Sequence, residues 1–219
     1  MIQSLPFRSL LPFAFLTLAG VAADATAQSP DKILKQAVRA LGGEIALRRI
    51  TTREAKGTIR RATDNTQGSL QMLTLKPDLY LLTFDVGGLE VSEGFNGKSA
   101  WRLDSRAGLR TLTGVESLSL RAATNYRNHL WLNYKKEKSK IIDAGQETVG
   151  GKPARAVMLT TRENVKINLW FDTASGLPVR EEMPAGNGVT TFEYYDYSAV
   201  DGVLEPLRIK LKKTAASRN

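Results

Sequence analysis

Cysteine is absent from the 219 residues, and histidine occurs once, at His129. The first absence excludes disulfide scaffolds, thiolate metal sites, cysteine nucleophiles and any anchor built on a lipidated cysteine. The second removes most remaining metal and triad chemistry. No G-x-S-x-G elbow, H-E-x-x-H pair or EF-hand loop occurs, so the residues point to no enzyme, cofactor or metal. Gly97-Lys98-Ser99 copies the tail of a phosphate loop, but Ser92 stands where the leading glycine belongs, and the spacing predicts an Asn96-Gly97 hairpin turn. Glu181 and Glu182 are adjacent on an expected strand and point to opposite faces, so they form no carboxylate pair. His129 has no acid at a useful spacing and is expected on a helix surface or cap. A hydrophobic share of 42% with 24% charged residues is too apolar for disorder and suits one globular domain.

Charge is what the chain has in excess: 31 Lys and Arg against 22 Asp and Glu, a net +9. Read as a nucleic-acid footprint, this charge is weakened first by the N-terminus. One Arg precedes Leu10–Ala23, a run without ionisable side chains and shorter than the roughly 20 residues of a bilayer span. Ala25-Thr26-Ala27 follows as an A-x-A site, so residues 1–27 read as a signal peptide cleaved after Ala27. Cleavage removes one Arg and one Asp and leaves the +9 on residues 28–219. An exported chain, here expected in the periplasm and not itself lipidated, has little access to nucleic acid. Its basic residues also lack the aromatic interleaving that stacks bases. The expected partners of the charge are an anionic membrane surface or an envelope protein.

The remaining pattern is mainly strand. Ser29-Pro30-Asp31 opens a helix by N-cap, N1 proline and early acid; Gly42-Gly43 closes it, and a short helical turn follows to Ile50. Period-two segments with turn residues between them then give ten to twelve antiparallel strands. A second helix starts near Gly114, with a Thr113-x-x-Glu116 capping box and an apolar stripe running Val115, Leu118, Ala122, Tyr126, Leu130, Tyr134 beside Trp131. Alternation is cleanest in Leu207, Ile209, Leu211 against Arg208, Lys210, Lys212. It fails in Leu79-Tyr80-Leu81-Leu82, which is apolar on both sides. Two helices cannot cover so much apolar sheet, so the sheet either curls on itself or lines a cavity.

Several phrases carry a family likeness: Phe95-Asn96-Gly97-Lys98-Ser99-Ala100-Trp101, Gly145-Gln146-Glu147-Thr148-Val149-Gly150-Gly151, Leu169-Trp170-Phe171-Asp172 before Ser175-Gly176-Leu177-Pro178-Val179, and Tyr195-Asp196-Tyr197 before Val200-Asp201-Gly202 and Pro206. With the order of elements, they make residues 28–219 resemble the LolA/LolB-like periplasmic lipoprotein-sorting proteins. The resemblance implies an unclosed antiparallel β half-barrel whose concave, apolar side is lidded by the N-terminal and mid-chain helices and takes acyl chains of lipoproteins or other lipids. It implies a non-enzymatic carrier, and the missing cysteine favours a free carrier over an anchored receptor. The alternative on the same fold is a protein-interaction or envelope-stress sensor module. Candidate cavity residues are Leu81, Trp101, Leu103, Ile167, Leu169 and Phe171 on strands and Leu118, Tyr126 and Trp131 on the lid. The resemblance also implies an arginine tying sheet to lid; Arg60 and Arg61 lie in the corresponding region without a motif that matches either.

Overall fold

The computed structural model describes residues 29–186 and 188–215, and the expected signal peptide lies outside them. Helix α1 (Pro30–Ala40) carries its proline in the first turn, but the Ser29 side chain makes no capping hydrogen bond. Helix α2 (Glu44–Arg49) follows, and then come six strands joined by tight turns: β1 (Thr52–Arg60), β2 (Gln67–Leu75), β3 (Leu79–Val86), β4 (Leu89–Asn96), β5 (Ala100–Asp104) and β6 (Gly108–Thr111). They pair antiparallel in chain order as sheet I. Helix α3 (Gly114–Arg127) leads to a 3-10 turn (Leu130–Asn133) and six more strands: β7 (Lys140–Val149), β8 (Lys152–Thr160), β9 (Lys166–Asp172), β10 (Pro178–Ala185), β11 (Gly188–Val200) and β12 (Val203–Ala215). These form sheet II, again in chain order.

The expected half-barrel is thus built as two antiparallel meanders, and among the described residues no ladder joins β1 to β12 or β6 to β7. The turns follow the local chemistry. Asn96 Oδ1 accepts the Lys98 and Ser99 N–H groups while Gly97 takes φ +87°, a hairpin turn as the sequence predicts. Asp172 Oδ1 likewise accepts Ala174 N–H, Ser175 N–H and the Ser175 hydroxyl between β9 and β10.

Three local expectations are corrected. The mid-chain helix stops at Arg127, because Asn128 caps it and His129 turns left-handed at φ 60°, so Tyr134 is not on its stripe. The Thr113 side chain makes no cap bond; Glu116 instead accepts two bonds from Arg110 at 2.7 and 2.8 Å. Strand β7 (Lys140–Val149) runs through as one strand with a bulge between Asp143 and Gly145, although the sequence splits into the separate period-two segments Ser139–Asp143 and Glu147–Val149.

Directly opposed residues share a face, so the registers define the inside. In sheet I the inner row Tyr80–Phe95–Ala100 packs with Leu112 and with Leu120 of α3. In sheet II the inner row Val157–Leu169–Glu181–Phe192–Leu211 runs from β8 to β12. Over it, Ile33, Leu34 and Ala37 of α1, Leu47 of α2 and Ala122 of α3 complete the larger core. Helix α3 touches β4 and β5 of one sheet and β10 of the other, so it spans the inner side as a lid.

Candidate functional site

The inner face of β12 changes character along its length. Val203 is buried, Glu205 is half-buried, and Leu207, Ile209 and Leu211 are 67%, 52% and 52% exposed. Ile209 and Leu211 stand opposite Tyr194 and Phe192, which point inward, so the exposed leucines and isoleucine belong to the inside of the sheet. The other edge of the opening is β1. Its inner positions Ala55 and Gly57 are small and exposed, and opposite them stand Met72 and Leu70 of β2. The exposed inner faces of these two edge strands, which among the described residues no ladder joins, form an apolar trough. Behind Leu207, Ile209 and Leu211, the alternate side chains Arg208, Lys210 and Lys212 form a basic outer row, as the alternation predicts. The apolar row is left uncovered, since α1 and α2 pack on the sheet II core and α3 lies mainly against β10, with Arg127 reaching Phe192 of β11.

The closed end of the trough is pinned by polar contacts. Arg53, on the inner face of β1, donates to the Glu205 carboxylate of β12 and, at 3.4 Å, to the backbone carbonyl of Arg127 at the end of α3. Asn128 Nδ2 donates to the Leu79 carbonyl of β3 at 3.2 Å. One arginine thus holds both edge strands and the lid, and it is Arg53, not Arg60 or Arg61. Arg60 is exposed on the outer face, and Arg61 binds Asp64 and the Val86 carbonyl.

Beneath the lid, Arg127 sits 4.8 Å over the Phe192 ring, with Nη1 3.9 Å from Glu181 Oε2. Glu181 is buried on the inner face, and among the described residues its Oε2 has no hydrogen-bond partner. Burial pushes the Tyr126 and Tyr194 hydroxyls well above their usual range, and the Glu181 charge pushes them further. Burial raises the Tyr80 hydroxyl to about 12. The cluster sets the Arg127 guanidinium and the Glu181 carboxyl among phenols that stay neutral at pH 7, inside an apolar core. Such a pair, once separated, leaves each charge in a poor environment, which fixes where α3 sits. His129 lies at the left-handed joint after α3, not on its surface; burial, then the Arg53 and Lys76 charges, lower it to about 4.

The nine candidate residues are divided among three places. Ile167, Leu169, Phe171 and Trp131 are buried together in the larger core, with Tyr126 packed against it and stacked on Trp131 at 6.3 Å. The cleft that Tyr126, Trp131 and Ile167 line holds only about 70 Å³, small beside the ~300 Å³ at which ligand pockets begin. Leu118 is exposed on α3. Leu81, Trp101 and Leu103 are on the outer face of sheet I, because they alternate with the inward Tyr80, Ala100 and Arg102. Trp101 lies flat over Gly94 there, where a β-carbon would meet its ring at 2.7 Å. The trough residues Leu207, Ile209 and Leu211 were visible as an alternating set, and Arg53 carried no signal.

No family model matches the chain, and no curated protein matches its sequence. Its fold is LolA-like. A LolA superfamily protein from Nitrosomonas europaea superposes with a TM-score of 0.51 at 16% identity, covering 87% of this chain and 88% of that one. A DUF1329 family protein from Desulfovibrio piger (TM-score 0.48, 15% identity, 85% and 87% covered) and a domain of an outer membrane lipoprotein-sorting protein from Vibrio parahaemolyticus (0.48, 12%, 83% and 84%) are also similar.

Proposed function

From a LolA-like fold whose apolar inner face stays open along β1 and β12, we propose a non-enzymatic carrier of acyl chains, belonging to lipids or lipoproteins, in the periplasm. The observation that carries this reading is the exposed apolar inner row Leu207, Ile209, Leu211 on one edge strand, with the small residues Ala55 and Gly57 on the inner face of the other. Residues 28–219 form the carrier domain after removal of the signal peptide. Each methylene moved from water into the trough contributes about 0.8 kcal/mol, so a partly covered acyl chain binds without covalent chemistry. The basic outer row of β12 then meets anionic headgroups at the membrane that supplies or receives the chain. The Arg53 tie and the Arg127–Glu181 pair hold α3 down, and their release widens the trough for loading and unloading.

The test is native mass spectrometry with lipid extraction of protein isolated gently from periplasm. Acyl species co-purify with the parent and are lost from a folded Ile209→Asp variant; a lipid-free parent refutes the reading. The filled core under α1 favours a second reading, an interaction or stress-sensor module, and lipid-free protein that captures one envelope protein would establish it.

A further inference from the structure

The two sheets differ on their outer faces. That of sheet II is covered by its own charges: Arg180 lies 5.5 Å from the Trp170 ring and bonds Glu147 and Glu193, while Arg208 lies over Tyr195 and bonds Asp196. Such cation–aromatic ladders give a β surface that water wets. The outer face of sheet I is instead apolar in adjacent cross-strand rows. Leu75 and Leu79 form one; Leu73, Leu81 and Trp101 over Gly94 form the next; Leu103 and Leu109, opposed across β5 and β6, close the patch. Leu109 is 71% exposed and Leu103 42%. In the middle, Thr83 and Ser92 spend their hydroxyls on each other at 3.0 Å. Among the described residues, no helix covers this face, since α3 packs on the opposite side of β4 and β5 through Leu120.

We infer that this face is the contact surface of a homodimer, in which two copies pack their sheets I outer face to outer face about a two-fold axis. Charge selects the occupant. The chain as a whole is +9, but this face carries Lys56 and Arg60 against Glu54, Asp85 and Glu90, placed towards its rim. Two copies bring one excess negative charge each, set at the rim of the face, whereas an anionic membrane would press a dense negative surface against the same acid. Area allows it. Six strands spaced ~4.8 Å, the longer ones nine residues rising ~3.3 Å each, span roughly 700 Å², near the ~800 Å² that each partner of a stable interface contributes. An apolar centre with charge at its edge is the anatomy of such interfaces, and face-to-face sheets pack well at ~10 Å. The trough, on the inner side, stays open in the dimer.

Light scattering after size exclusion, over a wide dilution series of the purified protein, reads the state directly. The parent runs at twice the chain mass, and Leu103→Lys with Leu109→Lys, both at exposed positions, halves it while leaving the circular dichroism unchanged. Val189→Lys, on the outer face of sheet II, leaves the double mass. The missing cysteines supply a second measurement: a nitroxide attached at Leu103→Cys, a single thiol, gives a spin–spin distance between copies that fits two packed sheets, while one at Val189→Cys gives a distance too long for that contact. A parent that is monomeric throughout overturns the inference. So does a double mass that survives both lysines, or a monomer that binds anionic phospholipid vesicles through Leu103 and Leu109.

Discussion

Replacing Arg53 with leucine keeps an apolar stem on β1 and removes the guanidinium that holds Glu205 and the end of α3. Both side chains are less than a quarter exposed, so the ion pair is partly shielded from solvent screening. A hydrogen bond to a charged group at such a site contributes about 1.5–3 kcal/mol, and the 3.4 Å bond to the Arg127 carbonyl, near the limit of useful geometry, adds little. The expected loss is about 2–3 kcal/mol, carried by the closed position of the lid. Since 1.4 kcal/mol is tenfold, the open population of α3 rises by roughly 30- to 150-fold. Hydrogen exchange reads this locally: amides of Thr124–Asn128 lose protection by that factor, while amides of β9, under α1, change only through global unfolding. Glu205→Leu produces the same signature, and the double variant is less than additive. If the last turn of α3 exchanges as slowly in Arg53→Leu as in the parent, Arg53 is not the tie and the lid is held by Arg127 and Asn128 alone.

Other consequences follow from single side chains. Ile209→Asp is expected to abolish retention of a fluorescent fatty acid while lowering the melting temperature little, because the residue is half exposed. His129 is held neutral when folded, at about 4 against 6.5, so the unfolded chain binds a proton that the folded one refuses. Stability is therefore constant above pH 6.5 and falls by about 2–3 kcal/mol towards pH 4, and His129→Gln flattens that part of a urea-midpoint series. Gly94→Ala drives a methyl group into the Trp101 ring, and a cost of about 1–3 kcal/mol is expected as a lower midpoint with altered tryptophan fluorescence.

What alternation can and cannot tell is clearest on β3 and β12. Leu79-Tyr80-Leu81-Leu82 is apolar on both sides, so period two groups Tyr80 with Leu82 and Leu79 with Leu81 without saying which pair is inside. The choice of Leu81, Trp101 and Leu103 followed hydrophobicity, whereas the register with Phe95 and Ala100 puts Tyr80 under α3 and turns the leucines out. In β9 the same rule placed Ile167, Leu169 and Phe171 together, and they are together in the core under α1, with Ile167 at the edge of a small cleft and Phe171 at the edge of an open one of about 370 Å³ beside Ile33 and Gln36. The four-residue β6 is too short for periodicity, and the His129 joint has no signature because a left-handed residue other than glycine or asparagine is set by its surroundings. Arg53 reads as one cation in an exposed strand, since Glu205 is 152 residues away and only the folded chain brings them together.

On β12 the sequence pattern is uniform, yet cover is withdrawn step by step from Val203 to Leu211. The difference between a packed row and a binding row is thus made by how far the helices reach. With α1 and α2 held over one end and α3 tied at Arg53, the uncovered length of β12 is fixed by the lid, and the same ion pair that stabilises the fold sets how much apolar surface is left for a ligand. Burial and binding draw on one continuous apolar face, and a variant that lengthens or loosens the lid trades one for the other.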